Sequence, residues 1–408
     1  MKLGLIYRSS LEKKEDGYYI KDVFGKYLEK IAPLFSQIDL CASVYPERAL
    51  KKSFSHYHLK ISNIEVLDFG RPRNEFSILS KLMYYTRLVK LFYTQVRKWD
   101  ILYIFLPGYT GVIASVISRM LGKPYFVYTG IDWKDSSTYA WRWPGMKKKV
   151  LFPIYRFFNG YFEKMVIKHS AFTLVHGNAL QKKYEKLGAK VVQTIPLIGL
   201  SNRDVSIRKN LIEGNRLKCL FVGGLLPRKG LTYLIQALPI LKNKGYNVTL
   251  NLVGAADEKY EKVLRELVKT LKLNNDVIFT GYVPNGPRLF EIYRDSDIFV
   301  LPTLSEGFPR VLYEAMSQSL PIVTTNVGGI PGLMKDKINA LLVPPKDPEA
   351  IAKAIERLIK DKHLRQRLIA NGIRTVSEIL KKDAAEQLEP LLIKHVPSYK
   401  EWLKRKPN

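Results

Sequence analysis

Short apolar runs recur along the whole chain, each closed by a turn residue and followed by an amphipathic stretch of helix length. That alternation is the pattern of parallel α/β domains, because strands covered on both faces read as unbroken apolar runs. KLGLIYR near the N-terminus, ILYIFLP from Ile101, KPYFVYTG from Lys123 and AFTLVHG from Ala171 read as buried strands. A second series, LKCLFVGG, NVTLNLVG, DVIFTGYV, DIFVLPT, LPIVTTN and ALLVPP, starts after a polar stretch interrupted by proline. The break over 197–215 reads as an interdomain linker, with Leu217 opening a fresh sheet. A chain of 408 residues is also too long for one ordinary core. The expected organisation is a Rossmann-like domain over 1–198, a second over 199–383, and a basic amphipathic segment over 384–408.

No uncharged apolar run reaches the ~18 residues that would mark a membrane span, and MKLGLIYRSS lacks the features of a secretory signal. Cys41 and Cys219 are isolated in strand-like settings, which excludes a disulfide framework or a zinc pattern and favours a reducing, cytoplasmic setting. The formal charge of +29 is unevenly spread. Between Lys81 and Lys190 there are 19 basic and 5 acidic residues, a net +14. Such a field attracts polyanions or an anionic membrane leaflet.

In open parallel sheets, ligands bind beyond the carboxyl ends of the strands, so the residues after each strand are where a site is sought. After LKCLFV comes GGLLPRKG. There Gly223 and Gly224 permit a tight turn, and Arg228, Lys229 and Gly230 precede a helix, a combination suited to a phosphate group. After DIFVLPT comes LSEGFPRVLYEAMSQS, with Glu306 in a loop, Gly307 and Pro309 shaping the turn, and Glu314 on the following helix. A plainer reading makes Glu306 a helix N-terminal charge and Glu314 an ordinary helix residue.

The wording of these segments resembles a retaining glycosyltransferase of family 4, of GT-B fold. That family's E-x7-E element stands here as Glu306 to Glu314. The segments FVGGLLPRKG, NLVG, FTGYVP, YRDSDIFVLPT, TTNVGGIPGLM and NALLVPPKDPEAIAKAI keep its order. The resemblance implies two Rossmann-like domains facing a central cleft, with a C-terminal helix returning to the first domain. It implies that Glu314 binds the ribose hydroxyls of a UDP- or GDP-linked sugar donor. Glu306, with the amides of Gly307 and Phe308, would hold a sugar hydroxyl. Lys229 would neutralise the diphosphate, Gly281, Tyr282 and Val283 would lie against the base, and Leu312 would wall the ribose. Where the family carries an arginine as second diphosphate cation this chain has Gly224, so Arg228 is expected to substitute in part. Where many relatives have a histidine after the fourth strand this chain has Thr129, leaving Asp132 as the nearest ionisable group and a candidate catalytic residue. The Asp-x-Asp of Asp295 and Asp297 precedes a strand rather than following one, and no metal or other cofactor is expected.

The same resemblance gives the N-terminal domain the acceptor, a lipid-linked or saccharide molecule. KLMYYTRLVKLFYTQVRKW from Lys81 and YAWRWPGMKKKVLFPIYRFFNGYF from Tyr139 interleave rings and cations, as segments at an anionic membrane surface do. Packed helices with basic outer faces are the plainer reading of the first of these. A nucleic-acid partner is not expected, since no recognised motif accompanies the charge. The sequence therefore reads as a cytoplasmic enzyme, peripheral at the inner face of the plasma membrane, in envelope or exopolysaccharide synthesis. A sugar-nucleotide epimerase or hydrolase and a non-catalytic partner of another transferase are the alternatives.

Overall fold

The computed structural model describes residues 1–46, 57–72, 78–136, 146–194, 198–208, 212, 216–307 and 309–405. The chain divides into two compact units, Met1–Gly199 joined by Lys382–Asn408, and Leu200–Lys381.

The first unit opens with β1 (Lys2–Ile6), β2 (Leu11–Lys14), β3 (Gly17–Ile20), α1 (Asp22–Ile31), β4 (Gln37–Ala42), β5 (Val44–Pro46), β6 (Tyr57–His58) and β7 (Ile64–Asp68). It continues through α2 (Ile78–Val96), β8 (Ile101–Leu106), α3 (Tyr109–Met120), β9 (Tyr125–Thr129), α4 (Trp133–Ser136), α5 (Met146–Lys168), β10 (Thr173–Val175), α6 (Asn178–Glu185) and β11 (Val191–Gln193). Seven of these strands form a parallel sheet in the order β11-β10-β9-β8-β1-β4-β7. Successive side chains go to opposite faces. Leu3, Leu5, Tyr103 and Phe105 join one core cluster while Ile6, Leu102, Ile104 and Leu106 join the other. Burial of both faces is why the strands read as continuous apolar runs.

A second sheet in this unit, β5-β2-β3-β6, was not anticipated. Its strands are the connections that leave the carboxyl ends of β1 and β4, paired too briefly for alternation to show.

The second unit contains β12 (Arg216–Val222), α7 (Leu231–Asn243), β13 (Asn247–Val253), α8 (Glu258–Thr270), β14 (Val277–Gly281), α9 (Pro287–Arg294), β15 (Ile298–Leu301), α10 (Val311–Ser317), β16 (Ile322–Thr325), α11 (Ile330–Leu333), β17 (Leu341–Val343), α12 (Pro348–Lys360) and α13 (Lys362–Leu380). Its sheet is parallel, in the order β14-β13-β12-β15-β16-β17.

The stretch expected to be a linker is in part a fixed strap. Ser206 donates its amide to Ser317 O at 2.8 Å and Arg208 donates its amide to Ser319 Oγ at 3.1 Å. Residues 200–208 thus belong to the second unit, because backbone polar groups lying against a helix end are satisfied there. The final helices α14 (Ala384–His395) and α15 (Pro397–Arg405) return to the first unit. Leu388, Leu392, Val396 and Tyr399 enter the same core as Leu3 and Leu5, and the Tyr399 hydroxyl donates to Leu34 O at 3.2 Å.

Candidate active site

In the second unit, β12 and β15 lie side by side at the centre of the sheet, with the chain winding outward from each in opposite directions. Doubly wound sheets open a crevice at such a switch point, just beyond the carboxyl ends of the two strands. The two loops leaving those ends carry the residues singled out from the sequence. The Gly223 amide donates to Val253 O at 2.9 Å, and Leu225 donates to Ala255 O at 2.8 Å. A Cβ on Gly254 would stand 1.8 Å from Gly223 O, so only glycine admits this approach of the loops after β12 and β13.

Pro227–Lys229 form one 3-10 turn, and α7 begins immediately after Gly230. The turn is laced to the loop after β15. Arg228 O accepts from the Leu304 amide at 2.7 Å and from Thr303 Oγ1 at 3.0 Å, and Arg228 Nη1 donates to Ser305 O at 3.1 Å. These bonds bring two side-chain cations to one carboxylate. Arg228 Nη1 lies 3.1 Å from Glu306 Oε1, and the Lys229 ammonium pairs with the same oxygen. Lys229 is only 7% exposed. Burial pushes its pKa down and Arg228 adds to this, while Glu306 opposes both. The Glu306 backbone is cradled from behind by the loop after β16, where Gly329 donates to Glu306 O at 3.2 Å.

Glu314 sits in the first turn of α10. Its Oε1 accepts from Asn285 Nδ2 at 3.0 Å and its Oε2 from the Tyr293 hydroxyl at 2.9 Å. Burial raises its pKa, against the hydrogen bond from Tyr293, the charge of Arg310 and the hydrogen bond from Asn285. Gly281, at φ +79°, ends β14, and its carbonyl accepts from the Gly254 amide at 2.7 Å. Tyr282 and Val283 follow it, each half-buried. Gly307 adjoins Glu306, and Phe308 lies outside the described residues. Leu312, two residues before Glu314 on α10, is fully buried.

Gly224 is exposed, and a Cβ there would meet Leu226 Cδ1 at 3.6 Å and Ala255 O at 3.9 Å, ordinary contacts. Asp297 Oδ2 accepts the Lys218 amide at 2.7 Å and its own amide donates to Lys218 O at 2.8 Å, a backbone tie at the start of β15. Among the described residues there is no group of three or more His, Cys, Asp or Glu side chains that could hold a metal. Both cysteines are buried.

Asp132 and Thr129 belong to the first unit. Asp132 Oδ2 lies 2.6 Å from Lys183 Nζ, which also meets Glu163 Oε2 at 2.7 Å. Glu163 accepts in addition from the Trp133 amide at 2.7 Å and the Tyr184 hydroxyl at 2.8 Å, so this network anchors the segment after β9. Thr129 is buried, with its hydroxyl on Ile131 O at 2.9 Å. Asn285, Tyr293 and Gly329 were not singled out from the sequence. Tyr293 and Gly329 lie within the quoted YRDSD and TTNVGG segments and Asn285 directly follows FTGYVP, with nothing else to mark them.

The profile of the family described as glycosyl transferases group 1 matches residues 202–375. The matched segment begins within the strap and takes in every second-unit residue of the site described above. Protein CapJ of Staphylococcus aureus is 26% identical over 383 residues, covering 92% of this chain and 91% of its own. The capsular polysaccharide biosynthesis glycosyltransferase CapM of Staphylococcus aureus is 33% identical over 156 residues, 38% of this chain and 40% of its own. The chain spans under half the length of several curated relatives it matches. The crystal structure of Anabaena HepE in complex with UDP aligns over 97% of this chain and 100% of that one, at a TM-score of 0.66 and 18% identity. That likeness is one of fold, which is GT-B.

Proposed function

We propose that the chain transfers a sugar from a nucleotide-sugar donor, UDP- or GDP-linked, to a lipid-linked or saccharide acceptor with retention of configuration. The observation that carries this reading is the convergence of Lys229, Arg228 and Glu306 at the switch point of a group 1 domain. Cations fixed by backbone bonds beside a carboxylate suit a diphosphate leaving group next to a sugar. Such preorganised charge is among the largest contributions an enzyme makes to transfer. Support for the nucleotide comes from HepE, whose structure is described with UDP. The capsular role described for CapM supports a place in envelope or exopolysaccharide synthesis.

In this reading the C1–O bond to the β-phosphate breaks and its electron pair leaves with the nucleoside diphosphate. The acceptor oxygen bonds to C1 from the same face, and its proton passes to the departing phosphate oxygen. Lys229 and Arg228 take up the charge as it develops, so we propose that no divalent metal is needed. Glu306 holds a sugar hydroxyl, Glu314 holds the ribose, and Gly281, Tyr282 and Val283 lie against the base. Asp132 is proposed to bind an acceptor or donor hydroxyl, and the first unit to meet an anionic membrane surface on the cytoplasmic side.

The experiment is a thermal-shift panel of UDP, GDP, ADP and their sugars, followed by diphosphate release in EDTA with and without added acceptor. The expected result is stabilisation by one nucleotide, release that depends on acceptor, and a product with the donor's anomeric configuration by NMR. Lys229→Ala should weaken diphosphate binding about 10- to 100-fold, the worth of one charge-assisted hydrogen bond. Release without acceptor would favour a hydrolase, and absence of both binding and release would favour a non-catalytic partner.

A further inference from the structure

A tyrosine hydroxyl in a core normally finds a backbone carbonyl or water as its partner. Tyr293 instead spends its hydrogen bond on a carboxylate. It is fully buried, its ring packs against Phe299 with centroids 5.7 Å apart, and its hydroxyl donates to Glu314 Oε2 at 2.9 Å. Keeping a carboxylate in such a place costs desolvation, and a structural tyrosine does not require it. The other oxygen is taken in the same way by Asn285 Nδ2 at 3.0 Å, and Asn285 lies in the loop that follows Gly281, Tyr282 and Val283. Each carboxylate oxygen has two acceptor sites. One site on each oxygen is therefore committed to the protein, and one on each remains. The rotation of the carboxylate is set from two elements, α9 and the β14–α9 loop.

We propose that Tyr293 and Asn285 are positioning residues for nucleotide recognition: together they orient the Glu314 carboxylate toward the two ribose hydroxyls. Asn285 also ties the ribose carboxylate to the loop proposed to lie against the base, so base and ribose are gripped by one connected unit. The inference rests on the reading of Glu314 as the ribose carboxylate. It adds which neighbours make that carboxylate selective.

A second consequence concerns pH. The groups facing Glu314 are Tyr293 on α9, Asn285 on the β14–α9 loop and Arg310 at the start of its own helix. Burial raises the Glu314 pKa and these three hold it down. Removing Tyr293 or Asn285 donation then raises it further. The ionised form, which accepts from ribose, is lost at a higher pH than in the wild type.

The test uses the full chain and four probes, UDP and GDP with their 2′,3′-dideoxy counterparts, titrated by calorimetry at pH 8 and pH 6. The wild type should bind the ribose form of its preferred nucleotide tighter than the dideoxy form. Tyr293→Phe and Asn285→Ala should narrow that preference about 10-fold while leaving dideoxy affinity nearly unchanged. Both variants should lose more affinity between pH 8 and pH 6 than the wild type does. A general loss of packing would weaken both forms alike, and that result would overturn the proposal. Glu314→Gln separates the two levels. If Glu314→Gln leaves the preference for ribose intact, the reading of Glu314 itself fails. If Glu314→Gln removes the preference while Tyr293→Phe and Asn285→Ala keep it, only the positioning inference fails.

Discussion

A buried ammonium persists only beside a fixed anion. For Lys229 that anion is Glu306, which also takes Arg228. The three-residue arrangement is crowded toward one oxygen, and its second cation approaches from the turn before Lys229, not from Gly224. Gly224 is glycine without backbone need. Its φ lies outside the left-handed region and a Cβ there makes only ordinary contacts. Gly224→Arg is therefore expected to fold normally, with unfolding free energy within ~0.5 kcal/mol of wild type as for most exposed substitutions. It should also tighten diphosphate binding by about 3- to 10-fold, through one more cation near the phosphates. Calorimetric titration with UDP and GDP, beside a urea melt, checks both. Unchanged affinity in a folded Gly224→Arg would mean that Arg228 already fills the role of the second cation.

At the scale of elements, the strap over 200–208 shows how the second unit is closed at one end. Arg208 sends Nη2 to Ser296 O at 3.1 Å and Nε to Gln318 O at 3.3 Å, and its Nη1 to Arg294 O. Arg294 O closes α9 and Ser296 O lies two residues beyond it, where a cation also meets the negative end of the helix dipole. Arg208→Ala should destabilise the second unit by about 2–4 kcal/mol, since several buried carbonyls lose a charged donor at once. Hydrogen exchange would locate the loss at α9 and the strap, and Arg208→Lys should restore only part of it because an ammonium lacks the fork. This element was not legible beforehand. VSIR has no periodicity, and its placement comes from partners over 80 residues away in sequence. The short strands β5 and β6 escaped for the same reason, being defined by pairing and not by pattern. The long parallel strands were legible because burial on both faces writes itself into composition. The two glutamates stood out through the resemblance of their segment to an E-x7-E element, placed after a strand end. Tyr293 was not, since a tyrosine in an amphipathic helix looks the same whether it holds a core or a carboxylate.

Across the first unit, the helices α2, α3 and α5 pack side by side over one face of the seven-stranded sheet, and their outer sides are unusual. Together they contain ten basic residues and a single acidic one, Glu163, which is buried in the Lys183 network. On α2, Leu79, Leu82 and Met83 are 66%, 60% and 63% exposed. On α5, Phe157, Phe158 and Tyr161 are 66%, 47% and 56% exposed. These spacings of three and four residues set each group on one side of its helix, so the apolar residues form stripes flanked by cations. A nucleic acid would use the charge and leave the stripes in water, whereas an anionic bilayer takes both, rings and aliphatic chains at headgroup depth and cations over acidic lipid. Among the described residues no helix is long and apolar enough to cross a membrane. In flotation with the full chain, binding to vesicles containing acidic phospholipid is expected at low salt. Binding to neutral vesicles should be much weaker, and binding to acidic ones should fall as ionic strength shortens the screening length below about 10 Å. Leu82→Gln with Phe157→Gln should lower binding at least several-fold without lowering stability, because both side chains already stand in water and each contributes on the order of 1–2 kcal/mol only when buried. Equal binding to neutral and acidic vesicles, or retention by the doubly substituted chain, would rule out this face as the membrane contact.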